Sequence, residues 1–293
     1  LELEPYSVEG LVALTDLYIS TNRYKDATEQ LIKLKQISDD AQIARKLVLL
    51  QLQQGRFEDA LSTLMSMKEV TIEDSYYLGI TYTKLDRLED ALDALSDIPL
   101  TSRLGCETAM LKASILKDLG REQEAIHELT AAWDYFSPKA ACKEVGYLLA
   151  TELDTAGRRD EGLDIAQKIL EGNPHDPIAL NMVGYVWADR GINLDKAYAM
   201  IKEALQAKPD DPYILDSMAW VYYRQGKPEK ALECMGKALK KLDTDPTIHE
   251  HMGDILKSMG KKKKALDHYL KSSSLSKKPQ DGLKEKINEL QKQ

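Results

Sequence analysis

The chain has 293 residues, with 40 Lys and Arg against 48 Asp and Glu, giving a formal charge of −8. Charged residues make up 30% and aromatic residues 6%, and no apolar run approaches the roughly 18 residues that cross a bilayer, so a membrane-spanning helix is excluded. The acidic balance disfavours nucleic acid as the main partner, because phosphate neutralisation needs clustered Lys and Arg.

The segment Leu1 to Pro5 aligns with Leu205 to Pro209, so residues 1–7 read as the tail of a preceding, truncated repeat. Any signal peptide or lipid-attachment cysteine would then lie upstream. What repeats is clearest further on. Shifted by 34 residues, the stretch Asp211 to Pro246 lays Pro212 on Pro246, Ala219 on Gly253, Gly226 on Gly260, Ala231 on Ala265 and Met235 on Tyr269. Shifted the other way, it meets Pro177, Gly184, Gly191, Ala197 and Ile201. A fixed period of this length marks a solenoid, whose units are each too small to bury an apolar face alone. One continuous domain is expected.

Eight units follow, at 8–40, 41–71, 72–105, 106–142, 143–176, 177–211, 212–245 and 246–279. Each reads as a helix, a turn and a second helix. The turns fall at Asn22, Gly55, Asp86, Gly120, Gly157, Gly191, Gly226 and Gly260, residues that tolerate the left-handed backbone closing a helix. A small residue in each second helix, Ala27, Ala60, Ala91, Ala125, Gly162, Ala197, Ala231 or Ala265, lets antiparallel helices approach closely. Gly79, Gly184 and Gly253 sit inside first helices at a cost of about 1 kcal/mol each relative to Ala, for which close packing is the expected compensation. Asp176, Asp211 and Asp245 each precede a proline and predict capped helix starts, and Pro228 opens a second helix in the same way.

The spacing of the turns, 33, 31, 34, 37, 34, 35 and 34, places the irregular units early. The second helix of the third unit is expected to stop before Pro99, and the fourth unit to run on through Tyr135, Phe136, Ser137 and Pro138. Either the superhelix changes course near residues 97–105 and 136–143, or these are tolerated loop insertions. Residues 280–293 read as a capping helix started by Asp281, with Leu283, Ile287 and Leu290 on one apolar stripe.

Signatures of chemistry are sparse. Cys106, Cys142 and Cys234 show neither C-x-x-C nor zinc-finger spacing and read as small buried or half-buried residues. His249 and His251, two residues apart, point about 200° from one another on a helix, unlike the two imidazoles of H-E-x-x-H. No phosphate-binding glycine loop or nucleophile elbow occurs, and no catalytic residue, cofactor or metal is predicted.

These units resemble the tetratricopeptide repeat, and the resemblance spans essentially the whole chain as about eight repeats. The unit after Pro177 carries the family pattern in Leu180, Val183-Gly184, Trp187, Ala197, Ile201, Ala204 and Pro209, with one residue inserted between Gly191 and Ala197. The segment Gly184 to Gly226, with Ala188-Asp189-Arg190, Asp216-Ser217 and Trp220 to Arg224, is also similar to later repeats of exported bacterial members. An exported or periplasmic location follows from that resemblance alone, with the cytoplasm as the alternative. The implied fold is all-α, a right-handed α-solenoid or superhelix of antiparallel helix pairs with a C-terminal capping helix.

In the family the first helices line a concave wall. Its positions here are Tyr76, Met110, Tyr147, Asn181, Tyr185, Tyr213, Asp216, Trp220, Tyr223 and Arg224. Tyr, Trp and Arg dominate binding hot spots, so these ten residues are the expected partner contacts, unless individual rings pack as core. The family's carboxylate clamp needs Lys and Asn where this chain has Val12 and Asp16, Arg45 and Leu49, Met110 and Ser114, Asn181 and Tyr185, so a chaperone-tail receptor is not expected. From Pro246 onward eleven Lys face six acidic residues, a basic end that either meets an acidic partner or is a solvated cap. The function implied is a non-enzymatic protein-interaction scaffold holding a partner peptide or helix in its groove. The alternative is a regulatory or substrate-recruiting arm of an enzyme whose catalytic domain lies elsewhere.

Overall fold

The computed structural model describes residues 7–137, 141–276 and 281–292. The expected leading tail at 1–6, part of the extended junction at 138–140, and the cap expected from the Asp281 side chain lie outside the described residues. Among those residues every regular element is an α-helix. The first helices are α1 (Val8–Ser20), α3 (Ala41–Gln53), α5 (Ile72–Lys84), α7 (Gly105–Asp118), α9 (Lys143–Thr155), α11 (Pro177–Arg190), α13 (Pro212–Arg224) and α15 (Pro246–Ser258). They alternate with α2 (Tyr24–Ile37), α4 (Phe57–Met65), α6 (Leu88–Leu95), α8 (Glu122–Phe136), α10 (Arg159–Gly172), α12 (Leu194–Ala207), α14 (Pro228–Lys241) and α16 (Lys262–Leu275), and α17 (Asp281–Gln291) follows.

All eight expected turn residues have positive φ, from 57° at Asn22 to 78° at Gly157. The Ala residues expected to let helices approach are fully buried. Asp176, Asp211 and Asp245 accept hydrogen bonds from backbone amides of α11, α13 and α15, each of which has proline in its first turn. The inserted residue after Gly191 is absorbed by a second left-handed position, Asn193, with φ 49°.

The interior glycines are explained by their neighbours. A Cβ on Gly79 would lie 2.6 Å from the Leu95 side chain, and one on Gly184 would lie 2.6 Å from Ile201. One on Gly253 would enter the ring of Tyr269, which is fully buried. Each glycine makes room for a large side chain of the following helix, so the close packing offsets the propensity cost.

The helices group into two compact units, residues 1–145 and 146–293. In the first unit, Leu11, Leu31, Leu34, Ile43 and Leu47 form one core cluster and Leu95, Ile98 and Ile115 another. Arg45 of α3 donates through Nε and Nη2 to the buried Asp74 of α5, which also closes a capping box with Thr71. Burial would raise the Asp74 carboxyl, but Arg45 and Thr71 outweigh it and hold it below the usual carboxylate range. The short second helix of the third unit is α6, with eight residues, and the long one is α8, with fifteen, whose last turns bury Trp133 and Phe136.

Two features differ from the sequence reading or add to it. Cys106 and Cys142, expected as separate small residues, form a disulfide with Cα atoms 6.1 Å apart, tying the start of α7 to the residue before α9. Folding alone brings them together, and only Cys234 is free. The second feature is a repeated ion pair at the start of second helices: Arg23 with Asp26, Arg56 with Asp59, Arg87 with Asp90, Arg121 with Glu124 and Arg158 with Glu161. Each acidic residue also lies in the helix's first turn, where the helix dipole favours negative charge. In α14 and α16 the corresponding positions are Lys227 and Lys230, and Lys261 and Lys264.

In the second unit, α17 buries Leu283 and Leu290 and packs Ile287 against the preceding core. Lys286 of α17 pairs with Glu250 and Asp254 of α15 at 2.7 and 2.8 Å, and Lys257 of α15 pairs with Glu289 at 2.6 Å. Lys257 and Lys286 therefore fasten α17 to α15, while Lys261 to Lys264 are exposed.

Candidate functional site

Within the second unit, α9, α10, α11, α13 and the start of α15 surround a concave pocket of about 330 Å³. Helical periodicity puts Ala150, Thr151 and Asp154 of α9 on one face. Residues 181, 182, 185 and 186 of α11 and 213, 216 and 217 of α13 follow the same spacing. Four expected contacts, Asn181, Tyr185, Tyr213 and Asp216, line this pocket. Tyr213 is 55% exposed, whereas Asp216 is buried at its floor.

The other expected contacts are placed differently. Trp220 is 6% exposed and belongs to the core, stacked on His251 with ring centroids 4.1 Å apart. Its position on α13 faces inward as expected, but α15 of the next pair covers it, so it supports the wall from beneath. Tyr223 packs beside it, with centroids 4.9 Å apart, and Arg224 is exposed with its guanidinium over Gly191. Tyr147 is half-buried and is not among the pocket's walls. Tyr76 and Met110 belong to the first unit, where both are half-buried, Tyr76 against a core cluster.

Beneath the pocket runs a polar network. His251 Nδ1 lies 2.8 and 3.0 Å from the two carboxylate oxygens of Asp216. Burial alone would pull the imidazole down, but Asp216, with Asp254 and Glu250 beyond it, holds His251 above its ordinary value. The Trp220 indole N–H donates to Asp189 at 3.1 Å. Arg159 of α10 donates to both Asp189 and Asp154, so one guanidinium joins α9 and α11. The Tyr185 phenol is pushed well up by burial and by the facing Asp189 and Asp216, so it stays neutral.

Sequence reasoning missed Asp154, Arg159 and Asp245 as pocket residues. Asp154 occupies an inward position of its first helix and was legible by the same register. Arg159 comes from a second helix and Asp245 is a cap, so a register confined to first helices passes over both. His249 and His251 do face different partners: His249 meets His268 and the Asp243 carbonyl, while His251 meets Asp216.

Comparison with known proteins agrees with this architecture. Family models described as tetratricopeptide repeat match residues 147–212 and 212–245. Residues 147–245 are tetratricopeptide repeats. A TPR repeat-containing protein of Pseudomonas aeruginosa is 41% identical over 73 residues, covering 25% of this chain and 12% of its own length. Human tetratricopeptide repeat protein 13 is 29% identical over 164 residues, covering 53% of this chain and 18% of its own length. A human protein O-mannosyl-transferase is 26% identical over 166 residues, covering 56% of this chain and 18% of its own length. The chain thus spans less than a fifth of the length of each of these relatives.

Among solved structures, one of an APC/C hetero-tetramer matches 96% of this chain and 55% of its own, with TM-score 0.61 and 14% identity. A tetratricopeptide repeat protein of Thermus thermophilus matches over 64% of this chain and all of its own, with TM-score 0.52 and 21% identity. These likenesses show the fold, an all-α solenoid. The tetratricopeptide fold is in general that of protein-interaction scaffolds, and no helix among the described residues is long and apolar enough to cross a membrane.

Proposed function

We propose that this chain is a non-enzymatic scaffold whose second unit holds an extended segment or helix of a partner protein in its concave pocket. Asn181, Tyr185, Tyr213 and Asp216 make the contacts, and Trp220 and Tyr223 brace them from below. The supporting observation is the gathering of these four expected residues, from two successive first helices, around one cavity. Repeat boundaries as read in the sequence belong to the same proposal. Lys261 to Lys264 offer a separate, basic surface to an acidic partner. The Cys106–Cys142 disulfide fits an oxidising compartment, in keeping with the likeness to exported members.

A benzoyl-phenylalanine photocrosslinker at the exposed position 213 should trap a protein partner from lysate of the source cells, and one at the exposed position 270 of α16 should not. Tyr185→Ala with Tyr213→Ala should then lower partner retention about tenfold, as expected for losing hot-spot rings, with helical circular dichroism unchanged. Undiminished retention by a folded double variant overturns the site. Trp220→Ala would not serve, because the indole lies in the core.

The similarity to an O-mannosyl-transferase favours a second reading, in which the repeats recruit substrate for a catalytic domain outside residues 1–293. A pocket variant would then lower turnover of the tethered enzyme on protein substrates while leaving turnover on a minimal acceptor unchanged.

A further inference from the structure

The pocket of the second unit has an uneven chemistry. Most of its wall is aliphatic, from Ala150, Leu163, Ala166, Met182, Val186 and Ile248. Carboxylates outnumber cations among its polar lining residues. Asn181 Oδ1 is buried with no hydrogen-bond partner among the described residues. The Tyr185 hydroxyl makes no hydrogen bond among the described residues, and Asp154, Asp216 and Asp245 line the same space. Three donor residues nearby are committed. Arg159 gives Nε to Asp154 and Nη1 to Asp189, Ser217 donates to the Tyr213 carbonyl, and Thr151 donates to the Tyr147 carbonyl. Three carboxylates and one arginine are among the lining residues, with Asp154 on Arg159, Asp216 on His251 and Asp245 on the α15 amides, each carboxylate keeping further lone pairs.

A buried acceptor without a partner costs about 1–3 kcal/mol, which a bound donor recovers. An occupant that fits is an aliphatic stem ending in a cationic group made only of donors. Lys and Arg both answer to that description, but the guanidinium is planar, carries five donors in a fixed fork, stacks on aromatic faces and is weakly hydrated. Acceptors on separate helices beside a half-buried tyrosine ring suit the fork better than a compact, strongly hydrated ammonium. Resting on the partner-binding reading above, we propose that the pocket formed by α9, α10, α11 and α13 seats an arginine side chain of the partner. Its stem lies on the Leu163 and Met182 side, and its guanidinium is held by Asn181 and Tyr185 with the carboxylates around it.

The test uses the whole chain, labelled with ¹⁵N, titrated with N-acetyl-arginine amide, N-acetyl-lysine amide, N-acetyl-norleucine amide and N-acetyl-glutamate amide. Arginine amide should shift amides of residues 150–154, 181–186 and 213–217 at lower concentration than lysine amide does. Norleucine and glutamate amides should leave them in place. Asn181→Leu should weaken the arginine response about tenfold, the loss expected for a hydrogen bond to a charged group. Norleucine amide acting as well as arginine amide, lysine amide acting better, or arginine shifts confined to other residues would each overturn the proposal. The four probes are compared on the unmodified chain, so the ranking among them does not depend on the variant folding. If arginine amide fails while a captured partner is still lost on changing Tyr185 and Tyr213, the arginine seat is wrong and the partner-binding reading stands. Failure of both disposes of both.

Discussion

At the scale of single residues, the pairing of an interior glycine with a large side chain sets how closely each helix pair packs. A Cβ at Gly184 would meet Ile201 at 2.6 Å and the Ala197 carbonyl at 3.2 Å. Gly184→Ala should therefore destabilise the chain despite the better helix propensity of Ala, and Ile201→Ala should cost roughly 2–5 kcal/mol by itself. In the double variant the losses should fall short of their sum by at least about 0.5 kcal/mol, measured by urea denaturation, since the smaller side chain relieves the clash. Additive losses would mean that the two residues do not compete for the same space. A second prediction concerns His251. Its folded value lies above the ordinary 6.5, so the stability it contributes is fully present below that pH and is lost as pH rises through the folded value. The melting temperature should decline on the alkaline side of pH 6.5, and His251→Gln should flatten that decline. An unchanged slope in the variant would count against the Asp216–His251 pair as its source.

At the scale of elements, the irregular middle of the chain is where covalent chemistry is added to packing. The disulfide closes a loop of sequence separation 36 around α7 and α8, worth about 4 kcal/mol in the chain-entropy account. Cys106→Ser with Cys142→Ser, or reduction of the native chain, should lower the unfolding midpoint of the first unit. Reduction should have no effect on the double variant. A midpoint indifferent to reductant would show the bond to be absent or without energetic consequence. The regular elements were legible because their requirements are local: a left-handed turn needs Gly, Asn or Asp, and a capped start needs Asp before Pro. The disulfide was not legible, since its partners lie on either side of a whole helix pair and their spacing carries no signal. The pairing of Arg with an acidic residue three positions on, as in Arg56 and Asp59, was present in the sequence as a recurring pattern. It was passed over because it lies on the solvent face rather than in the period-defining core.

At the scale of the whole molecule, the solenoid was readable from its period, but what each inward position does depends on the neighbouring repeat. Asn181, Tyr185, Tyr213 and Asp216 remain on the pocket, while Trp220, chosen by the same register, is covered by His251. Register tells which way a side chain points and not what the next pair lays over it. Residues such as Arg159, which reach the pocket from a second helix, become visible only once the pairs are stacked. The Cys106–Cys142 bond also has a mechanical meaning. A chain pulled from its two ends transmits tension through the bond and bypasses the residues inside it. At about 3.5 Å per extended residue, the oxidised protein would stop roughly 120 Å short of the contour length of its reduced form, with one helical hairpin never bearing load.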